Sequence, residues 1–269
     1  MREIKKDELK LIQLDMLKAI DQFCTERGIR YFLAYGTLIG AARHKGYIPW
    51  DDDIDIVMPR KDYIEFMNGF NYWGKNHYKV VCNEFDSRYY HPFIKVINID
   101  TVMKEENTND YEIGVFIDVF PLDELPNNEN DINKLYKKIR IYRDILTLKS
   151  IPIVERRSWY KNFILLVGQI VFRPISVSYL INKINTLAQT YAGKTANEKI
   201  GNLTSLAYGM REIWDAKWFA DTVYLPFEGY EFSCPQKYTE VLNHTYRDYT
   251  KLPPLEKQIS THRFYAYWK

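Results

Sequence analysis

Cysteine is scarce in this 269-residue chain: Cys24, Cys82 and Cys234 stand far apart, and no two form a Cys-x-x-Cys pair. An odd, scattered set excludes a disulfide framework. No His lies at ligand spacing from any of them, which excludes a structural zinc site, so a reducing, cytoplasmic setting is expected. A charge excess is missing too. Lys+Arg 37 against Asp+Glu 35 leave a formal net charge of +2, whereas a nucleic-acid-binding domain normally carries a strong basic excess. No apolar run reaches the ~18 residues of a membrane-spanning helix. The nearest, FILLVGQIVF at 163–172, is too short to span. The first residues, MREIKKDELKLIQLDML, mix charge with apolar side chains and lack the unbroken apolar stretch of a secretory signal. Repeats and low-complexity tracts are absent. What is present is apolar and aromatic material: 46% hydrophobic and 16% aromatic residues, with 22 Tyr. Such a chain fills a core rather than staying disordered.

The apolar periodicity is orderly. Leu9, Ile12, Met16, Ile20 and Phe23 recur at helical spacing ahead of Gly28, which predicts an amphipathic helix over 3–27. Short β-rich runs predict strands at 29–34, 78–83, 92–100 and 114–119, the last closed by Pro121. Residues 61–68 read as a helix. From Asn133 the composition turns basic (Lys134, Lys137, Lys138, Arg140, Arg143, Lys149), and the apolar run 163–172 follows. The expected class is therefore α/β (α+β): a mixed-sheet core with flanking helices over 1–130, and a mostly helical, aromatic-rich region over 131–269 that completes the site. A basic stretch followed by a short apolar helix also predicts peripheral contact with an anionic membrane surface through 134–173.

The stretch Trp50-Asp51-Asp52-Asp53-Ile54-Asp55-Ile56-Val57 carries the chemistry. Residues two apart on a strand share a face, so Asp53 and Asp55 point one way and Ile54 and Ile56 the other. Adjacent carboxylates repel unless a cation sits between them, and a hard divalent ion, Mg²⁺ or Mn²⁺, satisfies oxygen ligands. Asp51 and Asp52 belong to the same strand or to the loop before it. A calcium loop is excluded, because Ile56 occupies the position that needs glycine. One predicted strand earlier stands Gly36-Thr37, where a small residue lets the backbone approach a phosphate and a hydroxyl can donate to it. Asp118 leaves the face that Ile117 and Val119 bury, which makes it the candidate third carboxylate.

This order of strand, Gly-Thr, helix and Asp-x-Asp resembles that of the nucleotidyltransferase superfamily. YGTLIGAARHKGYIPWDDDIDI at 35–56 resembles the signature of LicD-type phosphotransferases. GVFIDVFPLDELP at 114–126 and CPQKYTEVLNHTYRDYTKLPPLEK at 234–257 are similar to that family's second and C-terminal blocks. Two departures stand out: Arg247 replaces a common Gly, and Ile39 a more usual Leu. The resemblance implies a nucleotidyltransferase-like core and a CDP-activated alcohol donor, CDP-choline first. The acceptor would be a hydroxyl of a cell-surface glycan (lipopolysaccharide, teichoic acid or capsule) or its lipid-linked precursor. It also implies Asp53, Asp55 and Asp118 as catalytic metal ligands, with Asp118 alternatively a general base. Gly36, Thr37, Arg43, His44 and Lys95 would contact the donor, in a protein at the inner face of the cell membrane. A nucleotidyltransferase releasing pyrophosphate, and a non-catalytic binder on the same fold, are the alternatives. A choline ammonium calls for aromatic faces, and Tyr89, Tyr90, Trp214, Trp218, Tyr246 and Tyr249 are candidates.

Overall fold

The computed structural model describes residues 1–73, 77–105, 112–153, 157–194, 198–260 and 264–269. Glu155 and Arg156 lie outside them. In chain order the elements are β1 (Arg2–Ile4), α1 (Lys6–Arg27), β2 (Phe32–Leu33), α2 (Tyr35–Ile39), β3 (Asp55–Pro59), α3 (Arg60–Gly69), β4 (Tyr78–Val81), β5 (Ile94–Asn98), β6 (Thr101–Glu105) and β7 (Phe116–Leu125). Then come α4 (Glu129–Ser150), α5 (Trp159–Val171), α6 (Val177–Ala188), β8 (Lys199–Gly201), β9 (Ile213–Asp215), β10 (Thr222–Phe227), β11 (Tyr230–Pro235), α7 (Tyr238–Tyr246) and β12 (Phe264–Trp268). A π-helical turn, Gly40–His44, extends α2.

The main sheet runs β2-β3-β7-β5-β4, with β8 and β9 continuing from β7. Strands β3 and β7 are parallel and the other pairs antiparallel. Helix α1 packs its apolar stripe, including Leu9, Met16, Ile20 and Phe23, into the core. Gly28 ends it at φ 67, a backbone conformation that suits glycine. The helix starts later than the periodicity predicts. Arg2–Ile4 instead pairs with β12, which satisfies backbone groups that the helix would otherwise leave at its start.

Two further expectations change. Pro121 does not end β7. The Asp118 N–H donates to the Ile54 carbonyl, just before β3, so by alternation the nitrogens of Val119 and Pro121 face the other edge. There, pairing with β5 stops at Val119 and pairing with β8 begins at Asp123. Pro121 thus sits where no partner requires its N–H. The region over 131–269, expected to be mostly helical, contains the hairpin β10–β11. Its two turn residues, Glu228 and Gly229, sit at φ 50 and φ 81, as a type I′ turn requires.

Buried apolar residues form two clusters. The larger joins residues from Ile4 to Leu122 with residues from Trp214 to Ala266. The smaller, from Leu125 to Ile213, is built mainly by α4 and α6. The change of composition near residue 130 therefore marks entry into the helical cluster, and the chain returns to the first core at Trp214. No described helix is long and apolar enough to cross a membrane.

Candidate active site

The parallel pairing of β3 with β7 sets Asp55 directly beside Asp118, and β5 sets Lys95 on the other side of Asp118. Three neighbouring strands thus present Asp55, Asp118 and Lys95 in one row. The Lys95 ammonium is buried and donates to Asp118 Oδ1. It also lies 3.5 Å from the Phe116 ring centre.

Asp53 precedes the strand instead of forming part of it. The backbone of 51–52 is held by groups outside the sheet. Asp51 N–H donates to the Ile48 carbonyl, and the Asp52 carbonyl accepts from Gln13 Nε2 at 3.1 Å. Among the described residues, the acids whose oxygens converge within 4.8 Å of one another are Asp51, Asp52 and Asp53. Asp53 is therefore grouped with its sequence neighbours, and its charge acts on Asp55 at the start of β3. Burial first, then repulsion from Asp53, Asp118 and Asp51, pushes the Asp55 carboxyl well above the usual carboxylate range; Lys95 pulls it the other way. A group with these neighbours is stabilised by an added cation, and the all-oxygen donor set suits a hard divalent ion.

Gly36 and Thr37 support the acids directly. A Cβ at position 36 would stand 2.5 Å from Asp51 Oδ2, so the glycine makes room for that carboxylate. Thr37 is buried, and its Oγ1 accepts the Asp55 N–H at 2.9 Å. Arg43 reaches the C-terminal block: Nη1 donates to the carbonyl of Tyr249 at 2.6 Å and to that of Lys251 at 3.3 Å. Its Nε donates to His44 Nε2 at 3.0 Å. Burial, then the Arg43 charge, lowers the His44 pKa. Arg43 therefore ties the π-helical turn to the tail. The tail also reaches the acids, since Ser260 Oγ donates to Asp52 Oδ2 at 2.5 Å.

An aromatic wall adjoins the row. Tyr35 stacks on Tyr208 with ring centres 5.6 Å apart, and Tyr208 meets Tyr246 edge-on at 5.0 Å. Burial pushes all three phenols up, and the Asp55 charge adds to the shift in each. Tyr246 was a sequence candidate; Tyr35 and Tyr208 were not. Tyr35 has φ 48, an uncommon conformation for a residue with a side chain. It is fixed from both sides: its hydroxyl donates to Glu212 Oε2 at 2.7 Å and accepts from Asn202 Nδ2 at 2.8 Å. Glu212 Oε1 accepts the Tyr208 N–H at 2.6 Å. No sequence pattern marks Glu212, and only its burial and partners expose it. Of the other aromatic candidates, Tyr90 lies 4.3 Å from the ring of half-buried His91, and Trp218 lies 5.8 Å from the ring of His244. Trp214 donates to Thr245 Oγ1 at 3.0 Å, and Tyr89 is core.

Comparison with known proteins identifies relatives of the chain. Residues 28–157 match the family described as LicD/FKTN/FKRP, nucleotidyltransferase domain. Over 273 residues the chain is 32% identical to the lipopolysaccharide cholinephosphotransferase LicD of Haemophilus influenzae, covering 99% of each. An uncharacterised protein of Rickettsia typhi is 31% identical over 147 residues, 51% of this chain and 43% of that one. Another, of Rickettsia prowazekii, is 44% identical over 59 residues, 22% and 21% respectively. With whole-length similarity of this degree, this chain belongs to the LicD family.

Proposed function

We propose that this protein is a phosphotransferase that moves phosphocholine from CDP-choline to a hydroxyl of a cell-surface glycan or its lipid-linked precursor, releasing CMP. The observation that carries the reading is the row Asp55–Asp118–Lys95 set beside the Tyr35–Tyr208–Tyr246 wall. Carboxylates suit a metal-bound pyrophosphate, and aromatic faces suit a quaternary ammonium. The whole-length similarity to a protein named as a lipopolysaccharide cholinephosphotransferase supports the same donor group and a glycan acceptor.

In this reading the acceptor oxygen attacks the choline-bearing phosphorus, the P–O bond to CMP breaks, and the hydroxyl proton must leave. Asp53 and Asp55, with Asp51 beside them, would hold Mg²⁺ or Mn²⁺, which when bound neutralises charge on the donor phosphates. Gly36 and Thr37 fix where Asp51 and Asp55 stand. Two roles are open to Asp118: completing the ligand set or taking the hydroxyl proton. Lys95 holds its orientation in both. The turn bearing Arg43 and His44 holds the tail block through Arg43, and Ser260 just beyond that block reaches Asp52.

Calorimetric titration of CDP-choline, CDP-ethanolamine, CDP-glycerol, CDP-ribitol and CTP, each with and without Mg²⁺, tests the proposal. Metal-dependent binding of CDP-choline alone, followed by CMP release when glycan is added, is the expected result. Binding of another CDP-alcohol would change the transferred group. Binding of CTP alone with pyrophosphate release would make the protein a nucleotidyltransferase, and silence from all five would make it a non-catalytic binder.

A further inference from the structure

Helix α5 is built inside out. Of its 13 residues only Leu165 is a buried apolar side chain. Trp159, Tyr160, Phe163, Ile164, Leu166, Val167, Ile170 and Val171 are all exposed, Trp159 at 80% and Ile164 at 65%. At ~100° per residue these eight side chains occupy a continuous arc of roughly 160°. The opposite side holds the helix to α4. Gly168 lies against Leu148, where a Cβ would stand 2.7 Å from its Cδ1. Gln169 Nε2 donates to the carbonyls of Leu148 at 3.1 Å and Ile151 at 2.9 Å, and Lys149 Nζ donates to the Phe172 carbonyl at 3.0 Å. The outward orientation is thus enforced by specific contacts on the inner face. A soluble protein rarely leaves so large an apolar patch uncovered without a use for it.

The charge around the patch says what covers it. Among the described residues between 145 and 188 the chain has five basic residues, Lys149, Arg157, Lys161, Arg173 and Lys183, and no acid. That is an excess of five in a chain whose net charge is +2. Helix α5 itself contains no acid, and exposed Lys161 and Arg173 stand near its two ends. Trp159 and Tyr160 sit at its start, side chains that favour a boundary between water and hydrocarbon. At ~20 Å the helix is too short to span a bilayer but long enough to lie in its surface.

We infer that α5 is an in-plane membrane-docking helix, inserting its apolar arc into a bilayer of anionic lipid while the flanking Lys and Arg side chains bind the headgroups. A second copy of this chain is the poorer occupant, because a symmetric contact through α5 would bring its basic rim against another of the same sign. The inference does not depend on which group the enzyme transfers.

Flotation of the full chain with phosphatidylcholine vesicles, with and without about 30% phosphatidylglycerol, tests it. The expected result is binding to the anionic vesicles only, weakened by salt. The double variant Phe163→Gln/Ile170→Gln changes two exposed positions and keeps good helix formers, so it retains the fold, checked by circular dichroism and melting temperature. It should lose at least about tenfold in vesicle affinity. A second double variant, Lys161→Gln/Arg173→Gln, should weaken binding and flatten its salt dependence. Absence of binding to anionic vesicles at low salt overturns the inference, as does unchanged binding by Phe163→Gln/Ile170→Gln. Equal binding to neutral vesicles removes the anionic-lipid assignment. A dimer that dissociates in Phe163→Gln/Ile170→Gln, without vesicle binding, assigns the face to a second copy instead.

Discussion

Strand β7 carries Asp118 and Asp123 within one element, and their electrostatic settings are opposite. Asp123 is fully buried and meets one guanidinium in a two-pronged pair, Arg60 Nε to Oδ1 at 2.7 Å and Nη2 to Oδ2 at 2.6 Å. The remaining Arg60 nitrogen, Nη1, donates to Asn185 on α6 at 3.0 Å. Charge there is balanced and locked between α3, β7 and α6. Asp118 shares its cation with a neighbourhood of acids, since Asp55 beside it is acted on by Asp53, Asp118 and Asp51 and, in the opposite sense, by Lys95. A closed pair holds a fold together. A row with more acids than cations is a place for something positive to bind.

The largest effect should separate the two acids. Asp118→Asn or Asp55→Asn is expected to lower CMP release by at least ~10³, about 4 kcal/mol of barrier. Urea unfolding should show stability within about 1 kcal/mol, because removing one acid relieves repulsion and leaves Lys95 near another carboxylate. Asp123→Asn should do the reverse. It leaves the Arg60 charge buried and unpaired, costing about 3–5 kcal/mol of stability. Equal stability loss in both variants would erase the distinction.

A third buried acid sharpens it. Glu212 is satisfied by neutral donors, and burial pushes its carboxyl up to about 7 from an ordinary 4.5, with Arg143 and Arg211 opposing. Its folded pKa is raised, so its contribution to stability is full below about 4.5 and lost as pH rises through about 7. Stability should therefore fall across that window by up to about 3 kcal/mol more in the native chain than in Glu212→Gln. Urea midpoints at pH 5 and 7.5 in both proteins measure the difference; parallel pH profiles would reject it.

The acid row should also respond to metal. At tenfold over its dissociation constant, Mg²⁺ should stabilise the native chain by about 1.4 kcal/mol. A melting scan should show no such gain in Asp55→Asn. The smallest effect concerns the tail block. Arg247 ends α7 at φ 69 and ψ −86, a conformation that favours glycine. Arg247→Gly should raise stability by about 1 kcal/mol, and a loss would mean that the Arg side chain contributes more than its backbone costs.

Much of this was legible in the residues. The Gly-Thr step, the acid stretch and Asp118 are local patterns. So is the Arg247 departure, whose meaning became visible only when its φ was known. The hairpin turn Glu228-Gly229 is only half marked in the sequence, since its Gly is a usual turn residue and a Glu at positive φ is not. Glu212 and Tyr208 were not readable, because their partners come from across the fold: Tyr35 lies 177 positions from Glu212. The grouping of Asp53 with Asp51 and Asp52 depended on Gln13 of α1 taking the Asp52 carbonyl and ending the strand pattern there.

By itself the sequence determined which residues share a face, because helical and strand periods are fixed by backbone geometry. It thereby placed apolar stripes on α1 and α5 and alternating acids ahead of β3. Only the tertiary structure decided where those faces point. The α1 stripe met the sheet and became core, whereas Gly168 and Gln169 docked α5 on α4 by its narrow side and left its apolar arc outward. Likewise the register of β3 against β7 put Asp55 beside Asp118. Both outcomes depend on contacts between distant segments, and no local period encodes them.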